Sequence, residues 1–269
     1  MILFLAGTSD AKELALLLYK EGYELIASVV TENAANELKQ VQIPVRVGRM
    51  NEEMFERYVI EQRIEVMIDA SHPFAEELSR TAIKVAKKVS IPYIRYERES
   101  KSYDHRLVTY VNHYEEAAEL AAQKKGVIFL TTGSKTLQIF TEQLLNLPNT
   151  RLIARMLPRK DNMEKCEALG LPQKNIVAIQ GPFTKEFNKA LFKQYGVTLM
   201  ITKESGKEGA VDEKLEAALE LNIETIMIKR PKMKYETMFH TFEDVLNHVR
   251  TLRKKGGNDE WILKRSLNQ

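Results

Sequence analysis

The sequence predicts an α/β protein built as two successive parallel-sheet halves, and three observations carry that prediction. Short apolar runs alternate with amphipathic helical segments along most of the 269 residues. A polar, aperiodic stretch at 95–106 divides the series in two. Several apolar runs end in Gly, Ser, Thr or Asp just before a helical pattern, the composition of a strand–turn–helix unit.

In the first half, Ile2-Leu3-Phe4-Leu5 reads as a buried strand and 10–21 as a helix with Leu14, Leu17 and Leu18 on one face. Residues 25–30 and 45–47 follow as strands, 51–62 as a helix, 66–69 as a strand, 75–89 as a helix and 92–94 as a fifth strand. Runs apolar on both faces, separated by helices, belong to a parallel sheet covered on both sides. In the second half, 127–130, 151–154, 176–179, 198–201 and 225–228 are strand-like, and 114–124, 134–145, 184–194 and 211–221 are helical. The pattern at 241–253 is a last helix that either half could own. The expected domains are 1–96 and 107–250, followed by a polar tail at 254–269 in which Trp261-Ile262-Leu263 could dock.

Composition excludes several classes. The chain is 44% hydrophobic and 29% charged, as for a globular protein with a full core. Its single cysteine, Cys166, rules out a disulfide framework and a thiolate cluster, in keeping with a reducing cytoplasm. The five histidines show no metal-ligand spacing, so no bound metal is expected. No apolar run reaches the roughly eighteen residues of a membrane span, and the start lacks the basic flank of a signal peptide. A net charge of +3 is below that of a dedicated nucleic-acid binder but suits an acidic small molecule.

Four strand ends could carry chemistry. Gly7-Thr8-Ser9-Asp10 lies between the first strand and helix, where a glycine admits a phosphate to free helix N–H groups. The full G-x-G-x-x-G fingerprint is missing, and an ordinary turn capped by Ser9 or Asp10 would look the same. Past the second strand, Glu32 stands where an acidic residue often holds a ribose hydroxyl, although it also reads as a solvated charge. Asp69-Ala-Ser71-His72-Pro73 ends the fourth strand. There Asp69 could orient His72 and Ser71 could donate a hydrogen bond; the plainer alternative is a capping turn with Pro73 at the first helical position.

In the second half, Thr131-Thr132-Gly133-Ser134-Lys135 repeats the strand–glycine–helix logic, as an anion site or as a cap. Lys203-Glu204-Ser205-Gly206-Lys207 offers two cations and a hydroxyl, or merely a solvated loop. Arg155, Gly181-Pro182-Phe183 and Lys229-Arg230-Pro231 end other strands of that half, so a basic rim is expected there.

The order of these motifs resembles the precorrin-6A reductase family, including its cobalt-precorrin branch. The matching segments are Ala-Gly-Thr-Ser-Asp-Ala at 6–11, Val-Gly-Arg at 47–49, Asp-Ala-Ser-His-Pro-Phe-Ala at 69–75, Ile-Pro-Tyr-Ile-Arg-Tyr-Glu-Arg at 91–98, Leu-Thr-Thr-Gly-Ser-Lys at 130–135, Gly-Pro-Phe at 181–183, Thr-Lys-Glu-Ser-Gly at 202–206, Lys-Leu-Glu-Ala-Ala at 214–218 and Lys-Arg-Pro at 229–231. Ala6 and Asp10 stand where Gly and Glu are usual, and Ser71 where Thr is.

The resemblance implies two Rossmann-like domains facing each other across a cleft, and NADPH- or NADH-dependent reduction of a macrocycle double bond to the 6B form. It implies Gly7, Thr8, Ser9, Asp10, Thr31 and Ser71 as cofactor-binding and Asp69, His72 and Lys203 as catalytic. Arg49, Arg95, Gly133, Ser134, Arg155, Ser205, Gly206 and Arg230 would meet the acidic tetrapyrrole substrate. No nucleic acid or membrane partner is expected, and contact with neighbouring pathway enzymes would be transient. Two other classes remain open. A short-chain dehydrogenase is disfavoured because no Tyr has a Lys four residues later. A non-catalytic nucleotide sensor would not need a second half with its own polar strand ends.

Overall fold

The computed structural model describes residues 1–99, 102–204 and 213–255. The chain forms two compact units. The first is Met1–Glu99 together with the chain from Pro231 on; the second is Ser100–Arg230.

The first unit runs β1 (Ile2–Ala6), α1 (Ser9–Lys20), β2 (Leu25–Val29), α2 (Glu32–Lys39), β3 (Val45–Val47), α3 (Glu52–Glu61), β4 (Val66–Ala70), α4 (Glu76–Lys88) and β5 (Tyr93–Tyr96). The second runs β6 (Val108–Val111), α5 (Tyr114–Lys124), β7 (Gly126–Leu130), α6 (Leu137–Leu144), β8 (Thr150–Met156), α7 (Lys160–Ala168), a 3-10 turn (Gln173–Asn175), β9 (Ile176–Ala178), α8 (Lys185–Tyr195), β10 (Leu199–Lys203), α9 (Glu213–Glu220) and β11 (Glu224–Ile228). The chain then returns to the first unit as β12 (Met238–Phe239) and α10 (Phe242–Lys255).

Each unit holds one six-stranded sheet, parallel at every pairing among the described residues. The orders are β12-β5-β4-β1-β2-β3 and β6-β11-β10-β7-β8-β9. The first is the Rossmann order 3-2-1-4-5-6. The second has the same order with β7 as its first strand, except that the sixth position is filled by β6, which precedes the rest. The two units therefore take their outer strands from opposite ends of the series. The chain leaves β5 to lay down the edge of the second sheet, and leaves β11 to lay down the edge of the first.

Alternation along β1 shows why these strands read as unbroken apolar runs. Ile2 and Phe4 pack with Leu14 and Leu18 of α1, Ala35 and Leu38 of α2, and Val245 and Val249 of α10. Leu3 and Leu5 point to the other face, against Phe55 and Val59 of α3 and Ala82 and Val85 of α4. Side chains of period two meet helices on both faces, so every position is apolar. In the second unit, Phe129, Ile153, Met200 and Met227 pack on one face with Phe192 of α8 and Leu215 of α9.

Several features differ from the sequence expectation. Residues 231–250 belong to the first unit, not to a continuous second domain at 107–250. β5 runs two residues into the stretch read as a crossing, and β6, β12, α2 and α7 are additional elements. The tail beyond 255, with Trp261-Ile262-Leu263, lies outside the described residues. No helix among the described residues is long and apolar enough to cross a membrane.

Candidate functional site

In a doubly wound sheet, ligands settle beyond the carboxyl ends of the strands where strand order reverses. That point lies between β1 and β4 in the first sheet and between β7 and β10 in the second.

At the first reversal, Gly7 follows β1 and Ser71-His72 follow β4. A Cβ on Gly7 would lie 2.8 Å from the His72 backbone nitrogen and 3.1 Å from Ser71 Cα. Glycine is needed here so that the two turns can touch. The Thr8 hydroxyl accepts the Ala11 N–H at 3.2 Å and is the N-cap of α1, the role expected of Ser9 or Asp10. Thr31 caps α2 in the same way, accepting from Ala34 N at 3.3 Å. Asp10 pairs with Arg98 at 2.8 Å, and Glu32 is an exposed partner of Lys39 at 3.8 Å.

Asp69 is the centre of a buried polar network rather than the orienter of His72. Its Oδ1 accepts from Ser71 N at 2.9 Å and Arg95 Nη1 at 3.0 Å. Its Oδ2 accepts from Ser79 Oγ and Tyr93 Oη, both at 2.6 Å. Those four donors fill the carboxylate. Arg95, expected to meet substrate, is 0% exposed. Its remaining donors reach Glu97 Oε2 at 2.7 and 3.1 Å and the Ser71 hydroxyl at 3.3 Å. The returning chain closes over it. Thr237 O accepts the Arg95 amide at 2.9 Å, and the Tyr235 ring lies 5.5 Å from the guanidinium. Burial, then the Asp69 charge, push the Tyr93 phenol up, so it stays a donor. This network fixes the Ser71-His72 turn by holding both the amide and the hydroxyl of Ser71.

His72 is exposed, and its Nδ1 accepts the Phe74 N–H at 3.2 Å. A neutral ring with that acceptor carries its proton on Nε2. On the β2 side of the β1–α1 turn, a pocket of about 260 Å³ is lined by Ala6, Gly7, Thr8, Lys12, Val29, Ala34, Glu37 and Leu38. Its walls are mainly apolar, with one cation and one carboxylate. Lys12 and Glu37 belong to none of the sequence motifs. Lys12 lines the pocket from α1 and Glu37 from α2. Arg49 is exposed just beyond β3.

At the second reversal, Gly133 has φ +80° with open space where a Cβ would stand. Ser134 donates to Asn162 Oδ1 of α7 at 2.5 Å. Thr132 and Thr136 bracket the turn, and both hydroxyl oxygens are buried without a hydrogen-bond partner. A buried polar group left unsatisfied costs about 1–3 kcal/mol. Thr136 sits at the N-cap position of α6 without capping it, and the first turn of that helix carries no acidic residue.

Lys203 ends β10 beside this turn. Burial first, then Lys135 and Lys214, hold its ammonium down to about 8, and its Nζ lies 5.4 Å from the Tyr114 ring centroid. Glu204 accepts the Arg230 N–H at 3.0 Å, placing Arg230 at the next strand end. Arg155, expected at the substrate, is only 8% exposed; it donates to Asn188 Oδ1 at 2.8 Å and lies 4.3 Å over Phe183. It joins α8 to the sheet instead of presenting a charge. Ser205 and Gly206 lie outside the described residues, as does the side chain of Ser9. No cluster of His, Cys, Asp or Glu among the described residues could hold a metal ion.

The comparisons agree in direction. Residues 1–250 match the family model described as precorrin-6x reductase CbiJ/CobK. The cobalt-precorrin-6A reductase of Priestia megaterium is 60% identical over 247 residues, covering 92% of this chain and 97% of that one. The protein of the same name from Methanococcus maripaludis is 36% identical over 251 residues, covering 91% and 97%. The solved structure titled CobK precorrin-6A reductase superposes with a TM-score of 0.74 at 24% identity, covering 93% of this chain and 96% of that one, a likeness of fold.

Proposed function

The chain belongs to the precorrin-6x reductase family, and on that premise we propose that it reduces one conjugated double bond of cobalt-precorrin-6A to the 6B form in corrin biosynthesis, using a nicotinamide cofactor. The observation that carries the reading is the 60% identity to a cobalt-precorrin-6A reductase across 92% of the chain. The cobalt-containing substrate is preferred over the metal-free one on the same ground.

The cofactor supplies a hydride; the protein binds, orients and provides the proton that the neighbouring carbon takes up. The pocket beside the β1–α1 turn fits a nucleotide: it combines apolar walls with Lys12 and with Gly7 and Thr8, which lead into the N-terminus of α1. Glu37 on its wall can accept ribose hydroxyls and repels a 2′-phosphate, which supports NADH over NADPH. Gly7 and Thr8 shape that turn. Ser71 and Asp69 act through it, as parts of the network that holds His72 in place.

Two groups are suited to deliver the proton. His72 offers Nε2–H, and Lys203, held down to about 8, exchanges its proton more readily than an ordinary lysine. In the first unit Arg49 is an exposed cation beyond β3, and in the second Arg230 and Lys203 stand at neighbouring strand ends; a guanidinium or ammonium of either set suits a macrocycle carboxylate. We propose a cytoplasmic location for the enzyme; no helix among the described residues is long and apolar enough to cross a membrane. An anaerobic absorbance assay with cobalt-precorrin-6A tests it. Loss of the substrate chromophore with stoichiometric oxidation of NADH, faster than with NADPH, is expected. No spectral change with either cofactor would overturn the assignment.

A further inference from the structure

The β7–α6 turn contains polar groups that the fold itself leaves unused. The Thr132 side chain is 6% exposed, yet its hydroxyl has no partner, and the same is true of the Thr136 hydroxyl oxygen four residues later. Between them Gly133 adopts φ +80° with nothing within 4 Å of where a Cβ would stand, so the turn has room for a ligand atom. The amides of the first turn of α6 receive no side-chain cap, and no carboxylate stands in that turn to compete with an anion. Lys203 ends β10, the strand paired with β7, and Lys135 and Lys214 are close enough to disfavour its charge. Two unsatisfied buried hydroxyls beside a helix start with no side-chain cap share one remedy, a bound oxyanion.

We propose that Thr132, Gly133, Thr136 and Lys203 form an oxyanion-binding site, with the two hydroxyls and the α6 amides donating to phosphate or carboxylate oxygens beside the Lys203 ammonium. Lys135 and Lys214 supply longer-range attraction. The proposal rests on the reductase reading only for the natural source of the oxyanion, which is either the pyrophosphate of the cofactor or a carboxylate of the macrocycle.

The site makes an uncommon demand on its threonines. An ordinary buried threonine stabilises the fold through its hydroxyl, whereas these hydroxyls stay unsatisfied until a ligand arrives. Replacing each by the isosteric valine removes a buried unsatisfied group, so Thr132→Val and Thr136→Val should melt at or above the wild-type temperature without ligand. The same variants should bind inorganic pyrophosphate or a porphyrin octacarboxylate about tenfold more weakly, the fold-change of one lost hydrogen bond to a charged oxygen. Calorimetric titration of wild type and both variants with each probe, beside thermal unfolding of the ligand-free proteins, decides the matter.

Weakened pyrophosphate binding alone assigns the site to the cofactor, and weakened octacarboxylate binding alone assigns it to the macrocycle; both outcomes support the site. Unchanged binding of both probes, or lowered melting temperatures with unchanged binding, overturns it. Neither probe is reduced, so a negative result here is separate from failure of the wild-type protein to turn over cobalt-precorrin-6A.

Discussion

Gly7→Ala separates two reasons for a glycine at the β1–α1 turn. One is to let a phosphate approach the backbone; the other is to let the β4–α4 turn approach it. The structure favours the second. An alanine Cβ would lie 2.8 Å from His72 N, 3.1 Å from Ser71 Cα and 3.4 Å from the Ser71 carbonyl carbon. All three are backbone atoms, so no flexible side-chain end can swing aside. The β4–α4 turn must retreat by several tenths of an ångström, against the hold that Asp69 and Arg95 keep on Ser71. Overpacking of this kind costs about 1–3 kcal/mol. For a unit of this size that corresponds to roughly 2–4 °C of melting temperature per kcal/mol. The assay is thermal unfolding of the ligand-free protein, with hydrogen exchange of the β1 and β4 amides to confine the effect to the first unit. Faster exchange at both strands with the second sheet unchanged is expected. A ligand-free variant with wild-type melting and exchange would refute the packing argument and return Gly7 to the phosphate alone.

Three further outcomes follow from the same geometry. Arg95→Met leaves Asp69 as an uncompensated charge at 0% exposure, and should destabilise the first unit by about 3–5 kcal/mol by denaturant unfolding; a loss under about 1 kcal/mol would mean that the network does not hold the turn. His72→Ala removes an exposed ring, so melting should hold while turnover falls at least about tenfold; unchanged turnover would return His72 to a turn-forming role. Lys203 is charged below about 8 and neutral above it. An anion favours the charged form and raises its proton affinity, so pyrophosphate affinity should be full at pH 7 and fall as the pH rises through about 8. Calorimetry across that range should show the fall in wild type and a flat profile in Lys203→Met; equal slopes in both would remove Lys203 from the site.

The strands buried on both faces were legible in the sequence because burial there demands apolar residues at consecutive positions, as in Ile2–Leu5 and Leu199–Ile201. Elements with thin apolar content were not. α2 buries only Ala35 and Leu38, and α7 buries Asn162 and Cys166, too few for a helical stripe to stand out. β6 and β12 are edge strands of four and two residues, partly exposed, and carry almost no periodic signal. The candidate site could be proposed from sequence at the level of strand ends, since glycine and hydroxyl residues before a helix mark where a parallel sheet can bind. Which polar residues face a ligand was not. Arg95 and Arg155 look like surface cations in sequence and are buried, because their partners Asp69, Tyr235 and Asn188 are 26, 140 and 33 positions away or lie on returning chain. Even so, Tyr93, Arg95 and Glu97 share one face at period two, opposite Ile94 and Tyr96, a strand pattern hidden by its charges.

The exchange of outer strands explains why sequence continuity misplaces the domain boundary. A parallel neighbour cannot follow by a tight turn; it needs a crossover long enough to return to the starting end of the sheet. In the first unit that crossover after β5 is the entire second unit, and the returning segment does more than close an edge. It brings Thr237 O to the Arg95 amide and the Tyr235 ring against the Arg95 guanidinium, while His240 Nδ1 lies 2.6 Å from Glu97 O. Arg95 in turn bonds the Ser71 hydroxyl, one residue before His72. The chain that comes back from the second unit thus completes the polar network under the β4–α4 turn. The first sheet can be complete up to β5 and still lack the contacts that hold that turn in place. The geometry of His72 therefore depends on residues more than 160 positions downstream, which local pattern cannot reveal.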